Sequence, residues 1–296
     1  AGRARAVAGS EPVPGGGQLD QADGTAWMAM YSLNMMRIAL ELSLQNPVYQ
    51  EIAIKFLNHF LAIAKAMTNI GESGISLWDE EDEFFYDVLH FPEEKPIHVK
   101  VRSIVGLIPI FAVEVLEPEL LERVPRFNEH LDWILENRPE LASLVSRWNE
   151  PGRGHRHLFS LLRGSRLKCL LRRMLDEDEF LSPYGIRSMS KIHEKHPYVL
   201  HCEGKTKHCN GSSKVDYQPA ESNTHMFGGN SNWRGPIWFP VNFLLIESLQ
   251  RFHHYYGSDF KVESPSSSGQ KLTLEEVAED ISTRLGDLFR RDDQGH

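Results

Sequence analysis

Two segments of the chain carry apolar residues around nearly the whole circumference of a predicted helix. From Ala26 to Leu44 only five polar residues interrupt the apolar pattern, and Ile237 to Leu249 is similarly apolar. A helix of this kind must be covered on most of its sides. The two segments therefore predict interior helices, with Met35 and Leu244 buried.

Two other segments show a single apolar stripe and one polar face. From Val48 to Met67 the polar residues Lys55, Asn58 and Lys65 recur at helical spacing, and Leu272 to Leu288 carries one stripe of aliphatic residues. Such helices cover a core on one side and meet water on the other. The alternation predicts an all-α double layer with inner and outer helices, the pattern of a helical toroid.

One segment between the helices has a different pattern. Ser73 to Phe91 alternates apolar and polar residues near its end, which predicts a short β-hairpin or an extended loop on the rim of the toroid. The acidic run Asp79 to Glu83 within it is most simply a solvated loop. A calcium site would need a turn glycine and ligand spacing that the run lacks.

Composition and charge exclude several classes of partner. The chain of 296 residues has a net charge of -9, which disfavours nucleic acid because phosphate binding needs a basic face. No apolar run reaches the about 18 residues of a membrane helix, and the first residues lack the apolar centre of a secretion signal. Three cysteines imply no disulfide framework. We therefore expect a soluble, cytoplasmic protein without a membrane partner.

Motif searches predict neither a cofactor nor a metal. The chain has no phosphate-binding loop, no dinucleotide fingerprint and no nucleophile elbow. The pairs His201-Cys202 and His208-Cys209 do not have the spacing of ordinary zinc knuckles, so a polar loop is the better interpretation.

The strongest functional signal is MFGGNSNWRGPIWFPVN, from Met226 to Asn242. Trp233, Trp238 and Arg234 follow a glycine-rich and asparagine-rich loop at the start of a predicted interior helix. Indole faces stack on the C–H surface of a pyranose, and guanidinium and amide groups hydrogen-bond its hydroxyls. The alternative is that the tryptophans are ordinary core residues. The candidate substrate-binding residues are Trp233, Arg234, Asn232, Trp238, Asn230 and Trp27.

Four blocks of the sequence resemble the catalytic domain of glycoside hydrolase family 63. They are QADGTAWMAMYSLNM from Gln21, LWDEEDEFFYD from Leu77, EFLSPYGIRSMS from Glu179 and ESNTHMFGGNSNWRGPIWFPVN from Glu221. The blocks occur in the order of that family, and the last is the most specific. The resemblance implies an (α/α)6 toroid that hydrolyses an α-linked sugar of an oligosaccharide or small glycoside without a cofactor. It covers roughly residues 18–280, and residues 1–17 are predicted to be disordered or non-homologous.

The resemblance also implies that the catalytic carboxyl groups lie elsewhere. Family members use an acid and a base, and the blocks that carry these two residues do not occur in this chain. Residues 18–296 thus resemble an incomplete toroid, for which we expect little hydrolysis and exposed apolar flanks on its interior helices. Within the chain, Asp23 and Glu221 are the fallback catalytic candidates, although acids at such positions more often cap helices.

Three functions stay open from the sequence. The first is a glycoside hydrolase using acid/base attack of water. The second is an inactive carbohydrate-binding or scaffold fragment that lacks the carboxylate pair. The third is a helical domain that binds a protein through its rim loops.

Overall fold

The computed structural model describes residues 18–68, 74–90, 95–146, 148–200, 213–227, 229 and 233–291. Nine α-helices lie within this part of the chain, and six of them are 11 residues or longer. They are α1 (Ala22–Ser43), α2 (Tyr49–Thr68), α3 (Pro118–Glu122), α4 (Pro125–Asn137), α5 (Pro139–Ala142), α6 (Gly164–Met174), α7 (Ile192–Lys195), α8 (Phe239–Tyr256) and α9 (Leu274–Asp287).

The described part of the chain is mainly helical, as predicted, but it forms small antiparallel sheets in addition to the single hairpin that the sequence predicted. A three-stranded sheet contains β1 (Gln18–Asp20), β4 (Asp87–His90) and β5 (Ile97–Val99), with β4 in the centre. Five two-stranded pairs accompany it: β2 (Trp78–Asp79) with β3 (Phe84–Phe85), β6 (Val113–Leu116) with β7 (His157–Ser160), β8 (Leu181–Ser182) with β9 (Gly185–Ile186), β10 (Tyr198–Leu200) with β11 (Ser213–Val215), and β12 (Lys261–Glu263) with β13 (Lys271–Thr273).

The hairpin predicted after the second helix is confirmed as the β2–β3 pair, and its strands are buried. Phe84 and Phe85 are buried, and Phe84 stacks on Phe180 with ring centroids 5.9 Å apart. Asp79 is also buried and accepts backbone hydrogen bonds from Glu81 and Asp82. The acidic run is therefore a structured turn at Asp79 rather than a uniformly solvated loop.

Among the helices that pack against each other, the pairs α1 with α2 and α8 with α9 have the most extensive contacts. In α2, Lys55, Asn58 and Lys65 are exposed, as the polar face predicted. The start of α9 is fixed by a capping box, in which the Thr273 hydroxyl accepts from the Glu276 N–H and the Glu276 carboxylate accepts from the Thr273 N–H.

A fully buried 3₁₀ helix, Ile104–Phe111, supports α1 from the core. Such helices are normally only three or four residues long, and Pro109 within this one prevents regular α-helical hydrogen bonding. At Gly106 an added Cβ would lie 2.1 Å from the Phe84 ring and 2.4 Å from the Phe85 carbonyl oxygen. Only glycine permits this close approach to the β2–β3 hairpin.

The helices α1 and α8, which the sequence predicts to be interior, are not covered on all sides. Along α1 an apolar stripe is exposed to solvent, with Met28 53% and Ile38 51% accessible; in α8, Phe243 is 54% accessible. Met35 and Leu244 are only half-buried, so the prediction that they are buried was wrong. Helical periodicity shows which faces are apolar but not which of them another element covers. The expected exposure of apolar flanks on both helices is therefore seen.

Candidate functional site

Three tryptophans come together near the N-terminal ends of α1 and α8. Trp27 lies in α1, Trp238 immediately precedes α8, and Trp233 lies in the loop before it. The Trp233 ring centroid is 5.8 Å from that of Trp27 and 5.9 Å from that of Trp238. Phe111 of the buried 3₁₀ helix contacts Trp27 at 5.3 Å. Sequence-distant aromatic residues thus form one cluster, which we call the tryptophan cluster.

The tryptophan cluster is partly accessible and contains polar groups without partners. All three tryptophans are half-buried and pack against the main core. The indole N–H groups of Trp27 and Trp238 are buried, and neither finds a hydrogen-bond acceptor within the described residues. Buried donors usually have partners, because an unmade hydrogen bond costs roughly 1–3 kcal/mol. A ligand oxygen would satisfy them.

Trp233 also has an uncommon backbone conformation. Its φ is 61°, in the left-handed region that favours glycine. A bulky residue there is strained by about 1–3 kcal/mol, and such strain concentrates at binding and catalytic sites. The strained loop holds the Trp233 ring between Trp27 and Trp238.

Arg234 follows Trp233 in the chain and is buried, with only 2% of its surface accessible. Its Nη2 donates to the carbonyl oxygen of Met226, and its backbone N–H donates to Gly229 at 3.2 Å. The Nε and Nη1 groups have no partner in the described part of the chain. Burial disfavours the charged form and lowers the pKa of Arg234 to about 10, only partly offset by the charge of Asp87. The guanidinium therefore keeps its charge at neutral pH with two free donor groups.

Two aspartates lie at the start of α1. The Asp87 Oδ1, from β4, accepts the backbone N–H of Ala22 at 2.7 Å. Asp23, in the first turn, accepts the backbone N–H of Gly24 at 2.7 Å. Acidic groups at a helix N-terminus are stabilised by its unpaired N–H groups and its dipole. Both side chains thus stabilise the start of α1. Of the two, the sequence singled out only Asp23, as a catalytic candidate.

Both carboxyl groups hold their protons unusually tightly. Burial and the neighbouring charge of Asp23 raise the pKa of Asp87 to about 7. Burial also raises the pKa of Asp23 above its ordinary value, more than the Gly24 N–H lowers it. Two adjacent buried carboxyl groups cannot both ionise easily, so the pair binds a proton near neutral pH.

Asp87 and Arg234 line one small cavity. Tyr86, Ser103 and Phe227 contribute to its other walls. The two charged groups interact electrostatically, yet no ion pair joins these two described side chains. The cavity lies where the main core meets a second, smaller cluster that includes Phe227.

The remaining residues that the sequence proposed for the site do not belong to the tryptophan cluster as the structure describes it. Glu221 is exposed, and Asn230 and Asn232 lie outside the described residues. Asp87 was missed because it follows the apolar Phe84-Phe85-Tyr86 in a segment where acids are common. The sequence feature that could have indicated Asp87 is its position directly after an apolar run on a predicted strand.

Within the described ranges no group of three or more His, Cys, Asp or Glu residues is arranged to hold a metal ion. The pairs His201-Cys202 and His208-Cys209 lie outside those ranges. Asp79 instead contacts His98 at 3.1 Å and Lys100 at 3.2 Å. In the part that the structure describes, no helix has both the length and the apolar character to span a membrane.

Comparison with known proteins gives two similarities. The chain is 48% identical over 298 residues to the uncharacterized protein YMR196W of Saccharomyces cerevisiae, a match that covers 97% of this chain and 27% of that protein. It is 25% identical over 170 residues to a probable mannosyl-oligosaccharide glucosidase of Schizosaccharomyces pombe, covering 54% of this chain and 16% of that protein. No protein-family model matches the chain. The chain thus spans about a quarter of the length of the first relative and less of the second.

Proposed function

We propose that the tryptophan cluster and Arg234 bind an α-linked oligosaccharide or small glycoside, as part of a glycosidase that hydrolyses it by acid/base attack of water. The observation that carries the proposal is the set of buried donors on Trp27, Trp238 and Arg234 that find no acceptor among the residues the structure describes. Sugar oxygens would accept from these donors while the half-buried Trp233 ring stacks on a pyranose face. The partial similarity to a probable mannosyl-oligosaccharide glucosidase supports the same substrate class.

The proposal includes the architecture. We infer that residues 18–296 belong to one glycosidase-type helical toroid, with α1 and α8 as inner helices and α2 and α9 outside. The packing of α1 on α2 and of α8 on α9 supports this. So does the position of Trp27 and Trp238 at the starts of the two inner helices.

Carbohydrate binding without hydrolysis is the second candidate. It is favoured by the engagement of Asp23 and Asp87 with the backbone of α1, which gives both carboxyl groups a role apart from catalysis. The two candidates share the sugar-binding site and differ only in turnover. Assays of hydrolysis on α-glucosides and α-mannosides separate them.

Binding is tested first, by tryptophan fluorescence during titration with α-linked gluco- and manno-oligosaccharides. The Trp233→Phe variant should weaken binding about tenfold, because stacking on indole contributes on the order of 1 kcal/mol or more. Trp133→Phe is the matched control, since Trp133 lies on α4 with half its surface exposed. Equal affinity in the two variants, or no saturable binding to any of these sugars, would refute the proposal.

A further inference from the structure

An open cavity of about 450 Å³ lies between α3, α4 and the loop that precedes β7. Asn128, Asp132 and Leu135 of α4 line it at intervals of four and three residues, so they belong to one face of that helix. Trp148 from the loop and His157 from β7 line it as well. A cavity of this size can hold a small ligand or one side chain of a partner. Its lining shares no residue with the tryptophan cluster.

Trp148 is a buried part of this lining and has an unsatisfied donor. Only 2% of its surface is accessible, and its ring stacks on Phe159 with the centroids 5.8 Å apart. The indole N–H is buried and finds no acceptor among the residues that the structure describes. Buried donors usually have a partner. An oxygen atom of a ligand in the cavity would provide it.

Two other polar residues of the lining present acceptors. The Asn128 Nδ2 donates to the carbonyl oxygen of Leu121 at 2.6 Å, which fixes the amide and leaves Oδ1 as an acceptor. The His157 Nδ1 contacts the Trp148 carbonyl oxygen, so this nitrogen carries the hydrogen. In the neutral ring Nε2 is then an acceptor. A ligand group that meets both side chains must therefore donate hydrogen bonds.

The charge around the cavity is negative. Glu122 of α3 and Asp132 of α4 line it at exposed positions, and none of the described lining residues is a lysine or an arginine. The segment from Glu117 to Glu140, which contains both helices, has seven acidic residues and three arginines. Two of these arginines already form ion pairs with other carboxylates. The cavity therefore attracts cations and repels anions.

Apolar side chains form another part of the lining. Pro118, Leu121, Leu131 and Leu135 face the cavity, so an aliphatic stem bound there would lose contact with water. The ligand that fits the whole lining is a cationic donor on an aliphatic stem, with an oxygen acceptor in addition. A lysine residue has all three, since its ammonium group carries three donors on a flexible four-carbon stem and its backbone has a carbonyl oxygen.

We propose that this cavity binds a lysine residue of a peptide or partner protein. The ammonium group pairs with Glu122 and Asp132, and the stem packs on the leucines of the lining. The backbone carbonyl oxygen of the lysine accepts from the Trp148 N–H. The site acts apart from the proposed carbohydrate binding and does not depend on it.

The test is an NMR titration of the full chain with N-acetyl-L-lysine N-methylamide at low salt and neutral pH. The indole N–H resonance of Trp148 should shift and saturate, because its hydrogen-bonding partner changes. Two matched compounds each lack one group: the norleucine analogue has no ammonium, and pentylamine has no carbonyl oxygen. Each should bind about fivefold more weakly than the lysine compound.

Variants at exposed positions identify the cavity without disturbing the core. Glu122→Gln combined with Asp132→Asn should weaken the lysine compound about fivefold and leave the norleucine analogue unchanged. Glu129→Gln combined with Glu136→Gln removes the same charge from exposed positions of α4 that do not line the cavity, and it should have little effect.

Three results would overturn the inference. The first is an unshifted Trp148 resonance at millimolar lysine compound. The second is equal affinity of the two double variants for the lysine compound, or equal affinity of the lysine and norleucine compounds for the unmodified chain. The third is pentylamine binding as tight as that of the lysine compound, which would assign the cavity to a free amine instead of a lysine residue.

Discussion

Asn242, in the first turn of α8, connects the tryptophan cluster to the β8–β9 hairpin. Its side chain is fully buried, and its Oδ1 accepts the N–H of Ile186 at 2.7 Å. Its Nδ2 donates to the carbonyl oxygens of Ile186 at 3.1 Å and Trp238 at 3.0 Å. The neighbouring Gly185 has φ of +111°, and a Cβ there would lie 3.0 Å from the Asn242 Oδ1. The glycine therefore permits this close approach.

The structure predicts the effect of Asn242→Ala. Three hydrogen bonds are lost, each with a net value of about 1 kcal/mol, and the buried polar groups of Ile186 lose their side-chain partner. The free energy of unfolding should fall by about 3 kcal/mol. For a domain of this size that corresponds to a decrease in Tm of roughly 6–12 °C. The Trp238 carbonyl oxygen also loses one of its two donors and keeps the backbone N–H of Asn242 at 3.0 Å, so oligosaccharide binding should weaken.

Urea unfolding followed by circular dichroism measures this change. Gln250→Ala is the matched control on the same helix, because Gln250 is exposed and makes one long contact of 3.5 Å with Glu275. The control should change the free energy of unfolding by less than about 0.5 kcal/mol. If Asn242→Ala unfolds at the same urea concentration as Gln250→Ala, the argument that these bonds position α8 is refuted.

Gly106→Ala should destabilise the protein by about 3 kcal/mol or more, because the added Cβ would collide with the Phe84 ring and the Phe85 backbone. Gly286→Ala in α9 is the control: its Cβ would have no atom within 4 Å, so it should be neutral or stabilising by up to about 1 kcal/mol. Equal melting temperatures for the two variants would contradict this. The folded protein keeps a proton on Asp87 up to about pH 7, whereas the unfolded chain releases it near pH 3.8. Between these two pH values the free energy of unfolding should therefore fall as the pH rises, and Asp87 should contribute up to about 1.4 kcal/mol per pH unit to this fall. Asp87→Asn should remove that slope in unfolding experiments between pH 4 and 8, and an unchanged slope would show that the buried proton is absent.

The sequence predicted several local features because their causes are local. The polar residues of α2 recur every three or four positions, and that spacing alone exposes Lys55, Asn58 and Lys65. The clustering of Trp233, Arg234 and Trp238 also follows from their closeness in the chain. Other elements lacked such signals. The stretch from Glu150 to Arg173 has the Gly- and Arg-rich composition of a loop, yet it contains β7 and most of α6, which is an amphipathic helix.

The sequence by itself determined which helices have one polar face and which do not, and it located the aromatic and guanidinium groups of the candidate site. Only the tertiary structure decided what covers each face, so that α1 and α8 have exposed apolar residues although their sequences predict burial. Likewise, only the tertiary structure brought Asp87 to the start of α1. The hydrogen bond from Ala22 to Asp87 joins residues 65 positions apart. Such a contact depends on how β4 pairs with β1 and packs on α1, and no periodicity within either segment encodes it.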